Sequence, residues 1–204
     1  MKAIRNLYEW VLSWSQSKWG AYALFIMALA ESSFFPIPPD VLLIGLALGK
    51  RKNAIYYAFI CLTGSIIGAV IGYSIGAFLW WNSNQEFSAL AQIFFNNIPG
   101  FDTDLFYNIK SQYDEWNFWI VFTAGFTPIP YKIFTISAGA FNINFPMFLI
   151  ASIIGRGGRF FLLGTLIWKF GSPIKSFIDR YFNLLAILFT TLLIGGFLII
   201  KYLI

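Results

Sequence analysis

Two apolar runs too short to cross a bilayer, divided by a stretch of prolines and acids, constrain this chain more than any other feature. Residues 21–30 and 41–49 hold ten and nine residues, so each reaches only about 15 Å as a helix, against a hydrocarbon core of about 30 Å. Between them stands Glu31-Ser-Ser-Phe-Phe-Pro-Ile-Pro-Pro-Asp40. Its three prolines break a helix, and it carries two carboxylates and no basic residue. Exposed backbone is not tolerated in lipid, so a break at that depth must be buried in protein or line a wet cavity. The pattern predicts a re-entrant helical hairpin that carries Glu31 and Asp40 into the membrane.

Composition agrees with a membrane setting. Hydrophobic residues make up 58% of the 204 and charged residues 11%, whereas a soluble domain carries about 25% charge. Mean hydropathy is +0.70. The single cysteine, Cys61, lies in an apolar run, which excludes disulfides and cysteine-cluster metal sites. There is no histidine, which removes His-based acid–base chemistry and His metal ligands. An enzyme is therefore the least favoured class, and no metal, cofactor or nucleic acid is expected. Ala28-Leu29-Ala30 imitates a signal cleavage site, but the tryptophan-rich segment before it is unlike a basic leader, and the expectation is that it stays uncleaved.

Residues 1–18 place Ile4, Leu7, Tyr8, Val11 and Leu12 on one helical stripe, with Lys2, Arg5, Trp10 and Trp14 around it. That suits an amphipathic helix in the headgroup layer or one packed on the bundle. After the first hairpin comes Lys50-Arg51-Lys52, then residues 54–81, a run of 28 without a charge. Gly64, Gly68, Gly72 and Gly76 recur every fourth residue there, a bare stripe that admits another backbone. Residues 82–117 are polar, with Glu86, Asp102, Asp104, Asp114 and Glu115 against Lys110 alone. Two short surface helices divided by Pro99-Gly100 are expected there, their acids forming a solvated face.

The short–break–short pattern then recurs. Residues 118–126 and 133–145 flank Thr127-Pro-Ile-Pro-Tyr-Lys132, and Pro36-Ile37-Pro38 is echoed 92 residues later by Pro128-Ile129-Pro130. In that alignment Asp40 is answered by Lys132. A second spanning segment, 146–167, holds Arg156 and Arg159, and 184–200 is a last uncharged span. Ser65-Ile-Ile-Gly68 returns as Ser152-Ile-Ile-Gly155 in the segment after each hairpin.

Charge sets the topology. The N-terminus, 50–52 and 169–180 are basic and the central loop acidic, which places the former in the cytoplasm and the latter outside. The first hairpin must then enter and leave by the inner face, and the second by the outer. The expected fold is an all-α polytopic membrane protein. It is an inverted repeat of two opposed re-entrant hairpins, with about three spanning helices and an amphipathic N-terminal helix. Residues 1–18 form the interfacial helix and 19–204 one membrane domain. That domain divides into a first repeat at 19–81, an outer-face loop at 82–117, a second repeat at 118–170 and a C-terminal helix at 171–204. Such repeats are a recurring plan of secondary transporters.

Charges inside apolar spans cost at least about 2.5–3.5 kcal/mol each at the bilayer centre. Here they are Glu31, Asp40, Lys132, Arg156 and Arg159. Either they pair internally, for example Glu31 with an arginine, and only hold the hairpins together, or they bind cargo. Arg156 and Arg159 share a helical face and are able to fork a phosphate or to snorkel to the inner interface. Lys132, the arginines and the helix N-termini after each break are expected to bind an anionic headgroup. Burial disfavours an ionised carboxyl, so Glu31 or Asp40 is expected to exchange a proton as the site switches sides.

At these residues the chain resembles the DedA family, the bacterial branch of the superfamily with the SNARE-associated, or VTT, domain. The resemblance rests on Glu31…Pro38-Pro39-Asp40, on Gly125-Phe-Thr-Pro-Ile-Pro-Tyr-Lys132, and on Ala138-Gly139 beyond it. It covers about residues 20–170. It implies opposed hairpins in the inner membrane and lipid translocation without ATP, by a flippase or scramblase. Undecaprenyl phosphate or phospholipid would be the cargo and protons a coupling ion. The family's functional acids fall on Glu31 and Asp40, and its two second-hairpin arginines on Phe126 and Lys132. Arg156 and Arg159 are then the cations at hand to make up the difference. The runner-up is a proton- or cation-coupled transporter of a small solute, and a non-transporting scaffold is a third reading. The sequence leaves a homo-oligomer open.

Overall fold

The computed structural model describes residues 17–34, 38–97, 102–127, 129–171 and 173, and every regular element among them is helical. The interfacial helix expected before residue 17 and the last span, 184–200, lie outside the described residues. In chain order the helices are α1 (Gly20–Ser33), α2 (Asp40–Gly49), α3 (Ala54–Leu79), α4 (Ala89–Asn97), α5 (Thr103–Phe126), α6 (Tyr131–Ala140) and α7 (Phe145–Phe170), with a 3₁₀ turn at Arg51–Asn53 before α3. Among the described residues, two helical stretches are long and apolar enough to cross a membrane. They are Arg51–Leu79, with mean hydropathy 2.0, and Phe145–Phe170, with 1.4.

Both broken segments form two short helices divided by proline-bearing linkers, as their composition dictates. One boundary agrees with expectation and one differs. Asp102 caps the Leu105 N–H at 2.8 Å at the start of α5, and the non-helical backbone of Asn117 (φ 18°, ψ −87°) kinks α5 between the polar stretch and the hairpin arm 118–126 ahead of the second break. The helix after that break stops at Ala140 rather than 145. Asn142 takes φ 54°, and the N–H groups of Asn142 and Ile143 close back on the carbonyls of Gly139 and Ala138, each at 3.0 Å. That is the left-handed helix stop which asparagine tolerates. Asn144 then caps α7 on Met147, with Pro146 in its first turn.

The glycine stripe brings backbones together. A Cβ on Gly64 or Gly68 would strike the carbonyl of Phe25 or Leu29 of α1, and one on Gly76 would strike that of Ile136 of α6. Phe25 thus lies beside Gly64, Leu29 beside Gly68 and Ser32 beside Gly72, so α1 runs parallel to α3. Gly155 likewise meets Phe122 and Gly158 meets Phe126, so α5 runs parallel to α7. Gly164 against Ala54 and Gly157 against Leu62 make α3 and α7 antiparallel. The repeated Ser-Ile-Ile-Gly word ends in Gly68 on one long helix and Gly155 on the other, and each glycine receives the first arm of its own hairpin. At the same 87-residue spacing, Arg156 and Arg159 fall on Ala69 and Gly72. The charges therefore belong to one half only.

Charge divides between the ends of the bundle. Lys18, Lys50, Arg51, Lys52 and Lys169 gather where α1 and α3 begin and α2 and α7 end; there Arg51 donates to the carbonyls of Trp168 at 2.7 Å and Lys169 at 2.6 Å. Glu86, Asp102, Asp104, Asp114 and Glu115 lie at or beyond the opposite end, above an aromatic cluster in which Trp80 stacks on Phe106.

Candidate functional site at the hairpin tips

The broken helices end and begin near one another, and their unpaired backbone groups need partners. Glu31, in the last turn of α1, supplies one: its Oε1 accepts the backbone N–H of Tyr131, the first residue of α6, at 3.2 Å. A carboxylate is favoured at that helix end by the exposed N–H groups and their dipole. Thr135 Oγ1 of α6 donates back to the Ser32 carbonyl at 2.9 Å. The end of one hairpin's first arm thus caps the start of the other hairpin's second arm.

Arg156 closes this centre from α7. It is 1% exposed and Glu31 is 6% exposed. A terminal nitrogen of Arg156 binds Glu31 Oε2 and lies 3.3 Å from Ser32 Oγ, while its Nε donates to Ser65 Oγ at 2.7 Å. The two serine hydroxyls are joined at 2.7 Å. The guanidinium lies over the rings of Tyr131 and Phe160 at 4.9 and 4.7 Å, two cation–π contacts. Tyr131 is itself fixed by its hydroxyl on Ser152 Oγ at 2.6 Å. A buried charge must be paired and hydrogen-bonded to be tolerated, and this one is.

One turn on, Arg159 joins both hairpins. Its Nε and a terminal nitrogen hold the two oxygens of Asp40 at 2.9 and 2.7 Å, and its remaining nitrogen donates to the Thr127 carbonyl at the end of α5. Both side chains of this pair keep 13% exposure. Phe126 lays its ring over Gly158, directly before Arg159.

All five predicted residues therefore sit on the two hairpins and α7, and Glu31 pairs with an arginine. Asp40 meets Arg159, whereas Lys132 donates from Nζ to the Phe34 carbonyl at 3.2 Å and forms no ion pair among the described residues. Each arginine reaches a hairpin acid. Ser32, Ser65, Tyr131 and Ser152 were not singled out from sequence as site residues. The repeated Ser-Ile-Ile-Gly word was the available signal, since its two serines are Ser65 and Ser152.

Between α5 and α6 an open groove of about 340 Å³ is lined by Trp116, Trp119, Ile120, Thr123, Ala124, Ile129 and Phe134. It runs along α5 towards Thr127, the residue whose carbonyl Arg159 holds.

No protein-family model matches the chain, and no solved structure matches it. Two proteins are similar to it over most of their length. One, from Haemophilus influenzae, is 33% identical over 186 residues, which is 88% of this chain and 90% of that protein. Another, from Histophilus somni, is 34% identical over 192 residues, which is 88% of this chain and 91% of that protein. The first is described as an uncharacterized protein and the second as an uncharacterized HI0703 homolog.

Proposed function

The chain belongs to the family of these Haemophilus influenzae and Histophilus somni proteins, and we propose that it carries the phosphate headgroup of an anionic lipid between the leaflets of the inner membrane. The observation that carries this reading is Arg159, a planar phosphate-binding fork placed where α2, α5 and α7 converge, with an exposed fraction left to it. Lys132 adds a cation at the tip of the second hairpin, with no carboxylate partner among the described residues.

The setting supports a multi-pass protein with two opposed re-entrant hairpins. Glu31 and Arg156 are buried between the two hairpins, and α3 and α7 run antiparallel with their own hairpin arms alongside. Outward side chains such as Tyr22, Ile26, Phe59, Phe78 and Ile150 are exposed and apolar, which suits contact with lipid tails. The basic end suits the cytoplasm. The apolar groove beside α5 favours a lipid over a small solute, because a hydrocarbon chain needs an opening towards the bilayer. The resemblance to the DedA family points the same way. Both acids are ion-paired, so proton exchange at either requires its pair to open during the cycle.

Reconstitution in vesicles tests this. Transbilayer movement of labelled undecaprenyl phosphate, and of ordinary phospholipids, is followed with and without a pH gradient. Protein-dependent movement is expected, faster for the lipid phosphate. Movement of neither lipid, with proton-driven uptake of a small solute instead, would replace this reading with the solute transporter.

A further inference from the structure

Arg156 and Arg159 lie three residues apart on α7 yet stand in different surroundings. Arg156 is enclosed: Glu31, Ser32, Ser65, Tyr131 and Phe160 surround it, and a ligand would have to displace several of them at once. Among the described residues Arg159 has one side-chain partner, Asp40, held bidentately at 2.9 and 2.7 Å, and both keep 13% exposure. Two carboxylate oxygens on a guanidinium fork occupy the positions that two phosphate oxygens take on the same fork. Asp40 is also the first residue of α2, so whatever holds it holds the start of that helix.

Resting on the reading above, we infer that Asp40 is an internal stand-in for the phosphate ester: it fills the Arg159 fork in the unloaded protein, and a phosphate ester displaces it. The two anions repel, so loading the fork and pairing Asp40 exclude each other. Loading then frees the N-terminus of α2 while the Glu31–Arg156 centre keeps α1, α6 and α7 together. Arg159 is the residue that contacts the ester; Arg156 positions the frame. No covalent bond changes in this step.

The test uses the full chain in phosphatidylcholine nanodiscs, with farnesyl phosphate, farnesol and inorganic phosphate as probes in titration calorimetry. The Asp40→Asn protein is expected to bind farnesyl phosphate about tenfold tighter than the unaltered chain, a change of about 1.4 kcal/mol. Arg159→Gln is expected to lose that binding, and the double variant to bind no tighter than Arg159→Gln. Farnesol should not bind. Binding of farnesyl phosphate without inorganic phosphate assigns a lipid ester, and equal binding of both assigns phosphate from either source; the displacement holds in each case.

Hydrogen exchange on the unaltered chain removes any dependence on how the variants fold. Amides in the first turn of α2 should exchange faster when farnesyl phosphate is added. Protection there, or an Asp40→Asn protein that binds no tighter, overturns the inference. A chain that shows the displacement but moves no lipid in vesicles removes only the carrier reading. One that moves lipid with Asp40→Asn affinity unaltered removes only the displacement.

Discussion

Glu31 and Arg156, 125 residues apart in sequence, form a buried ion pair at the junction of α1, α6 and α7. Glu31 has a second task, capping Tyr131, so losing its cation disturbs a helix start as well as a charge pair.

Removing Arg156 should therefore cost more stability than removing Arg159. Breaking one partner of a buried pair costs on the order of 3–5 kcal/mol, and Arg156→Ala leaves Glu31 in that position. Arg159→Ala leaves Asp40 partly accessible to water, and the expected loss is about 1–3 kcal/mol. Denaturant unfolding in detergent, followed by circular dichroism, checks the order of the two. Equal losses would show that Arg156 is no more part of the frame than Arg159.

The matched glycines make a paired prediction. Gly68→Val and Gly155→Val place a side chain against the carbonyls of Leu29 and Phe122, and overpacking of this kind costs about 1–3 kcal/mol. Gly157→Ala meets only the Leu62 side chain, at 3.5 Å, and should be near neutral. Thermal stability in the same detergent separates the three.

Topology is open to labelling because the one native thiol, Cys61, is buried. Lys52→Cys and Ser111→Cys both replace exposed residues. Membrane-impermeant maleimide is expected to reach Ser111→Cys in intact cells, and Lys52→Cys only after the membrane is opened. Labelling of both from outside would reverse the assignment of the basic end.

Filling the groove should slow a lipid and spare the fold. Thr123 is an exposed part of its lining, and Thr123→Trp places an indole in the space beside Trp119 and Ile129. Movement of the long-chain lipid phosphate in vesicles should fall several-fold with the unfolding midpoint unchanged. Undiminished movement would take the groove out of the path.

Much of the frame was legible in the sequence because it depends on local rules. Short apolar runs beside prolines gave the two broken segments, the uncharged run gave α3, and the fourfold glycine spacing marked its packing face. The kink at Asn117 falls where the polar stretch gives way to the apolar arm at 118, so a change of composition marked it although no proline or glycine does. The stop at Asn142 had a signal, asparagine ahead of a second asparagine cap, but an apolar run continued through it. The charged site was legible as a set of residues and, for Glu31 with an arginine, as the kind of pair it forms. Which arginine meets which acid depends on how α7 is rotated against both hairpins, and the register of Gly155 against Phe122 fixes that. The repeat sets Asp40 and Lys132 at equivalent positions, and equivalence is not contact. The repeat relates backbones, and the side chains at the centre break it.

That break has a directional consequence. Ala69 and Gly72 stand on α3 where α7 carries Arg156 and Arg159, so a half-turn that superposes the two halves does not superpose their charges. In the carrier proposed above, a headgroup arriving from the cytosol and one arriving from outside would meet different faces of the same fork. The two faces of such a carrier would be chemically distinct.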